Sequence, residues 1–517
     1  MTHSKIRLYN AQGHTLRYSS SQNSAMCDHA GYNRGSKING ADMTVHSMRD
    51  FFSGFLKTYW RMALVMTALT VSAWIGFRYE NQIIINVTPI LTWLYAILIC
   101  FAALVPKDAA SLFKIKFNRT WVGLIGLVGI AFFLRTVNLP NLPPGFHIDE
   151  AGSVEFSILH VFNPDLNGRT ISPFRTGSDS QPTLYSYILR SSIEVFGFTT
   201  TGARMSSALV GSLAIAAVFL LTDELSGRKN AWLAAILMTA YHFHIHWSRI
   251  ALNNIFTTLL LPLAVGFFLR GWRMENAKGA LLAGLFLGLS AYFYTGGYVL
   301  IPLMIFLTLQ TWAKTWEHAR LAAYAGRMFL VAAVTAAPII IFALRQPGEF
   351  FDRFNTVYGW SREAIDLSLH PSASYWEYFV HQMSRSFGAY NIFTDVTGFY
   401  APGVPLLIGI SSLSFLVGVF LAIRQRKHLL WVWILLVTIF GGVLLAGTPS
   451  SSHFVPAIPA VCALVALPLG QVLESKRPHW AYILLAGILL VDLGFYFMVY
   501  AANPSLDLIN AFPVIPP

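Results

Sequence analysis

The stretch TWVGLIGLVGIAFFLRTVNLPNLPPGFHIDEAG, residues 120–152, joins a helix-length apolar run to a Pro-Pro-Gly turn and two adjacent acids, Asp149 and Glu150. A bilayer core needs about 20 apolar residues for each helical crossing. The run at 120–137 is one of roughly thirteen in the chain. Others lie near 60–77, 83–105, 203–222, 230–248, 253–270 and 279–297. The rest lie near 298–313, 328–344, 403–423, 428–446, 453–473 and 479–500. The stretch 279–313 divides in two because YTGGY offers a turn at Gly296 and Gly297. The pattern predicts an all-α polytopic membrane protein, and the alternation expected of a barrel strand is absent.

Composition supports that reading. Of 517 residues, 55% are hydrophobic and only 12% charged, about half the charged fraction of an ordinary soluble domain. Mean hydropathy is +0.54. The net charge of +12 comes from 36 Lys and Arg against 24 Asp and Glu. Basic residues recur in every second connection: Lys107 to Arg119, Arg228 and Lys229, Arg270 to Lys278, Lys314 to Arg327, Arg424 to Lys427, then Lys476 and Arg477. Such clustering marks the cytoplasmic face, so the excess charge points to membrane topology and not to nucleic acid. Three scattered cysteines imply neither a disulfide framework nor a Cys-based metal site. Residues 1–58 read as a disordered cytoplasmic tail without a signal-peptide core, with Met43 and Met48 as further candidate starts.

Two long connections, about 138–200 and 345–402, then fall on the extracytoplasmic face. The first contains PTLYSYILRSSIEVFG, an amphipathic stretch suited to the membrane surface. With this topology the unusual polar residues gather at one end: His147, Asp149, Glu150, Arg175, Ser248 and Arg249 of HIHWSRIALNN, Tyr292, Tyr294 and His453. Charge is also least costly at helix ends, so solvation at the interface accounts for any one of them taken singly. Their common face and the spelling of the motifs do not follow from solvation.

LRTVNLPNLPPGFHIDEAG resembles the first outer loop of GT-C glycosyltransferases of the protein O-mannosyltransferase and aminoarabinose-transferase type. In that group an acidic motif follows the first core helix. YHFHIHWSRIALNNIF resembles the group's Ser-Arg segment at a helix end, and SSHFVPAIPA its final outer loop. FGFTTTGARMSSALVGSLAIAAVFLLTDELSGR is similar to its linker into the next helix. The resemblance spans about 119–500. It leaves 59–118 as two additional N-terminal transmembrane helices and 501–517 as a short extracytoplasmic tail. In the family an Arg often stands beside the position of His453, and here none does.

The resemblance implies a sugar carried on a polyprenyl phosphate and moved to an acceptor hydroxyl outside the cytoplasm, on a protein, a lipid or a glycan. The residues suit that chemistry. Asp149 would accept the hydroxyl proton, and a single displacement inverts the anomeric centre. Glu150 would position the acceptor or bind a divalent cation, a candidate cofactor; equally, both acids could cap an interfacial helix. Arg249 is the first candidate for the leaving phosphate, by bidentate contact, unless it is a snorkelling helix-end anchor. Arg175 and Arg204 follow it. His147, Ser248, Tyr294 and His453 are expected to line the substrate site. His242, His244 and His246 look metal-like, with His242 and His246 on one helix face at i,i+4, but a zinc site usually needs three or four ligands. Asp492, inside the last apolar run, reads as a cap, a hydroxyl partner or a residue nearer an interface than the run's bounds place it.

The main alternative is a polytopic transporter or lipid flippase, which would place ionisable groups at the midplane and break helices in matching halves. Polymerases and ligases of sugar chains share the polytopic plan. An oligosaccharyltransferase subunit would add a large C-terminal soluble domain and a WWD-type motif, and neither is present. The absence of a signal peptide and of retention motifs favours a prokaryotic plasma membrane.

Overall fold

Polar side chains cap several helix starts: Asn118, Thr199 and Asn276 each accept backbone N–H groups of the turn that follows. A computed structural model describes residues 40–79, 87–105, 118–162, 170–400 and 402–503, with side chains from Tyr59 onward except that of Ser178. The expected tail at 1–39 and the basic residues Lys107, Lys114 and Lys116 lie outside the described residues. From Tyr59 the described helices form one unit.

In chain order the helices are α1 (Gly40–Tyr79), α2 (Thr88–Leu104), α3 (Arg119–Thr136), α4 (Ile148–His160), α5 (Leu184–Phe196), α6 (Thr200–Ser226) and α7 (Arg228–Ala240). Next come α8 (His242–Trp247), α9 (Phe256–Arg273), α10 (Ala277–Leu289), α11 (Leu300–Lys314) and α12 (His318–Arg345). The second long connection holds α13 (Pro347–Val357), α14 (Arg362–Ser368) and α15 (Tyr375–Gly388). Finally come α16 (Ile410–Arg424), α17 (His428–Thr438), α18 (Ser451–Phe454), α19 (Ile458–Leu473) and α20 (His479–Gly494).

Every expected apolar run overlaps at least one of these helices, and the described residues contain no strand beyond two isolated bridges. Eight helices are long and apolar enough to cross a membrane, and four more apolar helices are shorter. The protein is an integral membrane protein of all-α architecture.

Burial separates centre from rim. The spans containing α6, α9 and α19 are 67%, 67% and 83% buried inside the protein, against 17% for α3 and 22% for α20. In lipid, helices associate mainly through close packing, which small residues permit. A Cβ at Gly284 of α10 would stand 2.2 Å from the Met328 carbonyl oxygen of α12, and one at Gly418 of α16 would stand 2.1 Å from that of Leu464 in α19. The two N-terminal helices pack on α12: Ser72 donates to the Val334 carbonyl at 2.6 Å and Trp93 to that of Thr335 at 2.9 Å.

The expected single span at 230–248 is two helices. Tyr241 leaves the helical region between α7 and α8, at φ −59° and ψ 114°. The break frees the His242 backbone N–H, and Asp492 of α20 accepts it at 3.2 Å. A buried acid therefore satisfies the donor that the interruption exposes.

The two ends of the bundle differ. At one, basic side chains bind the ends of neighbouring helices: Arg273 pairs with Glu224 at 2.7 Å, Lys427 donates to the Leu225 carbonyl at 2.7 Å, and Arg320 to that of Trp272 at 3.0 Å. The other end carries the two long connections and the acids.

Candidate active site

The Pro-Pro-Gly turn delivers the chain into α4 with His147 at the N-cap. The His147 ring accepts the Asp149 backbone N–H at 3.1 Å, and Glu150 at N3 accepts the His147 N–H at 3.0 Å. This reciprocal cap fixes which way the two acids face, and they face apart.

Glu150 points into the protein and is 1% exposed. Its Oε1 accepts from Arg204 Nε at 3.0 Å and from the Ala251 N–H at 2.7 Å, and Oε2 accepts from Arg204 Nη2 at 2.9 Å. With the His147 bond, four donors surround the carboxylate. A metal ligand needs a free lone pair, so Glu150 does not fit that role. Among the described residues no group of three or more His, Cys, Asp and Glu side chains converges on one point.

The arginines beneath the turn are similarly occupied. Arg204 also donates to the carbonyls of Leu139, Pro143 and Gly145 at 3.3, 3.0 and 2.7 Å. Fully buried Arg249 donates to those of Leu134, Val137 and, twice, Leu142 at 2.7–2.9 Å. It thereby caps the C-terminus of α3, where a cation is favoured. Arg175 pairs with Glu349 of α13 at 2.6 Å. Ser248 is buried between the His244 carbonyl and Arg135. The three histidines of α8 diverge: His242 bonds Tyr400, His244 bonds Arg135 and Thr258, and His246 bonds the Phe399 carbonyl.

Asp149 faces the other way, into a polar cavity. Its carboxylate makes no hydrogen bond or ion pair among the described residues. Burial raises its pKa above the usual carboxylate range; His147 opposes this, Asp179 adds to it, and Arg353 opposes it. Opposite stand Asp179 and Gln181 from the first long connection, Asn253 and Asn254 from the start of the α9 span, and Arg353 from α13. Phe399 closes one wall and stacks on His147 at 5.0 Å between ring centroids.

A second, roomier hollow adjoins this one. Its walls are apolar, with Ile301, Pro302, Phe354, Phe440, Leu444 and Leu445 among them. Tyr294 and Arg353 line both hollows, and His453 lines the apolar one. Arg353 is half-buried and, unlike Arg204 and Arg249, makes no hydrogen bond or ion pair among the described residues.

Of the residues singled out in the sequence, the structure thus brings Asp149 and Tyr294 together at one cavity, with His147 beneath and His453 next door. It places Glu150, Arg204, Arg249 and Ser248 in the packing below, and Arg175 on the outer rim. Sequence reasoning passed over Arg353, Asp179, Gln181, Asn253 and Asn254. The two asparagines stand in the same HIHWSRIALNN segment that drew attention to Ser248 and Arg249.

Residues 180–342 match the family described as dolichyl-phosphate-mannose-protein mannosyltransferase. The matched segment begins after Asp149 and Glu150, so the acidic motif is an observation independent of it. No curated protein matches the chain in sequence. The fold is similar to that of ArnT from Cupriavidus metallidurans bound to undecaprenyl phosphate, with 14% identity, a TM-score of 0.50, and 76% of this chain covering 77% of that one. Two further solved structures are similar. The apo oligosaccharyltransferase of Archaeoglobus fulgidus has 15% identity and a TM-score of 0.48, with 78% of this chain covering 57% of that one. Arabinosyltransferase EmbB from Mycobacterium smegmatis has 12% identity and a TM-score of 0.46, with 82% covering 45%. The chain spans about half the length of these last two. The resemblance to GT-C glycosyltransferases of the mannosyltransferase and ArnT type therefore holds, by sequence over the matched segment and by fold over about three quarters of the chain.

Proposed function

We propose that the chain is a membrane glycosyltransferase that moves a sugar from a polyprenyl-phosphate donor to an acceptor hydroxyl on the extracytoplasmic face. One observation carries this reading: a polar cavity lined by Asp149 adjoins an apolar groove, Arg353 lines both, and neither side chain has a hydrogen bond or ion pair among the described residues. That sequence of environments suits a molecule with a polar head, an anionic link and a long apolar tail. The family match and the bound lipid of ArnT point to the same donor class. The residues 119–500 form the catalytic part, with α1 and α2 as an N-terminal addition.

Arg353 takes the phosphate, in place of Arg249, Arg204 and Arg175, whose guanidinium groups serve carbonyls and carboxylates of the chain. The prenyl tail lies in the groove, with Tyr294 and His453 at its head. Asp149 is the base. As the acceptor oxygen bonds to the anomeric carbon, the bond from that carbon to the phosphate oxygen breaks. Its electron pair leaves with polyprenyl phosphate, and the hydroxyl proton passes to Asp149. Attack opposite the leaving group inverts the centre. His147 holds Asp149 in place through its backbone. Because the base must be ionised and its pKa is raised, activity falls on the acid side at a higher pH than an exposed aspartate would give.

The test uses native membranes, which supply the acceptor, and a panel of labelled undecaprenyl- and dolichyl-phosphate sugars. Membranes with the wild-type chain should release label from at least one donor into acceptor, and Asp149→Asn should lower that transfer by about 10²–10⁴-fold. Equal transfer by Asp149→Asn would remove Asp149 from catalysis. Label that crosses the bilayer still attached to its lipid, without transfer, would replace this reading with that of a flippase.

A further inference from the structure

Asp179 lies 30 residues beyond Asp149 and lines the same cavity, yet its backbone adopts angles that few side chains tolerate. It sits at φ 50° and ψ 31°, and Ser180 follows at φ 54°. Two consecutive non-glycine residues in the left-handed region are strained, and such strain persists only where surrounding contacts enforce it.

Those contacts are plentiful. Gly177 donates its N–H to the Gln181 carbonyl at 2.8 Å, and Ser180 its N–H to that of Gly177 at 3.0 Å. Thr183 closes the base of the turn with its N–H to the Arg175 carbonyl at 3.0 Å. From outside, Ser180 Oγ donates to Asp352 at 2.7 Å, and Arg175 pairs with Glu349. Both acids belong to α13, which carries Arg353 as the next residue. The whole arrangement holds one exposed side chain at the mouth of the cavity, and the Asp179 carboxylate itself makes no hydrogen bond or ion pair among the described residues.

We infer that Asp179 is a positioning residue for the acceptor, which presents a second hydrogen-bond donor, a hydroxyl or an ammonium, beside the hydroxyl that reacts. The inference rests on the glycosyltransferase reading above. The donor enters from the apolar groove, with its phosphate at Arg353. The acceptor has to approach from the remaining open side, which is the solvent-facing turn. There a carboxylate accepts a hydrogen bond from a polyol or an amine and repels an anionic group. Asp149 then meets an acceptor held at two points, and the reacting oxygen is aligned with the anomeric carbon.

The turn permits a clean test, because Asn adopts the left-handed region about as readily as Asp, and Gly more readily. Asp179→Asn and Asp179→Gly therefore keep or relax the backbone while removing the charge. In the membrane assay above, both should lower sugar transfer to acceptor by about ten- to a hundredfold, the loss expected for a hydrogen bond to a charged group. At a pH high enough to ionise Asp149 fully in every variant, release of free sugar from the donor by water should stay within about twofold of wild type, since water needs no second contact. The ratio of transferred to released sugar is the decisive readout, because a variant that merely disturbs the fold lowers both. Unchanged transfer in either variant, or equal loss of transfer and release, overturns the role of Asp179 and leaves the proposed function standing. A wild-type chain inert with every donor in the panel overturns the proposed function itself.

Discussion

Asp149 and Glu150 are neighbours in sequence and opposites in surroundings. Below the turn, Glu150, Arg204 and Arg249 form a dry ionic core in which each charged group bonds a partner or a backbone carbonyl. Above it, Asp149, Asp179 and Arg353 face a cavity and have no such partners among the described residues. A buried charge without a partner is costly, so the first set holds the loop on the bundle. The second set is the one to which the proposed function assigns the donor and the acceptor. The difference lies in what surrounds each group, and residue type alone does not reveal it.

The strongest way to break this contrast is at Glu150. Glu150→Ala leaves Arg204, 1% exposed, without its carboxylate, and removing one partner of a buried pair costs about 3–5 kcal/mol. We expect a large fall in thermal stability of the purified protein and loss of all activity with it. A variant with wild-type melting behaviour and selectively lost turnover would move Glu150 from the scaffold into the chemistry.

Arg353 gives the converse case. Arg353→Gln removes a half-buried guanidinium that bonds nothing else in the described chain, so folding should be preserved. Affinity for undecaprenyl phosphate, measured by titration in detergent, should weaken by about ten- to a hundredfold, the contribution of a charge-assisted contact. Arg249→Gln should do the reverse, losing stability because α3 loses its cap while lipid affinity in the folded fraction is retained. Normal lipid affinity in Arg353→Gln would place the phosphate elsewhere.

The helices were legible in the sequence because lipid forces every span to be long, apolar and internally bonded. The turn and Asp149 were legible because two adjacent carboxylates directly after an apolar run stand out in a chain that is only 12% charged. The break at Tyr241 was not, since it depends on Asp492, 250 residues away. Arg204 and Arg249 read as phosphate ligands for a physical reason: a cation at a helix end looks the same whether it faces a ligand or caps carbonyls. Arg353 and Asp179 stand in polar connections where nothing in the spacing separates them from Arg345 or Asp352. Only the packing of α13 against the 176–182 turn gives them their place.

That packing offers the smallest and most discriminating perturbation. Ser180→Ala removes the bond to Asp352 at the protein surface, worth about 0.5–1.5 kcal/mol, and leaves Asp149, Asp179 and Arg353 untouched. Global stability should barely change, because the contact is exposed and the buried core below is intact. Lipid affinity should also hold, since Arg353 keeps its own helix. Transfer to acceptor should fall a few-fold, as the strained turn loses one of the contacts that enforce it. Loss of lipid affinity instead would mean that the bond steadies α13 and not the turn. The mouth of the cavity would then be held from the donor side, and the division between a fixed floor and a tunable rim would have to be redrawn along α13.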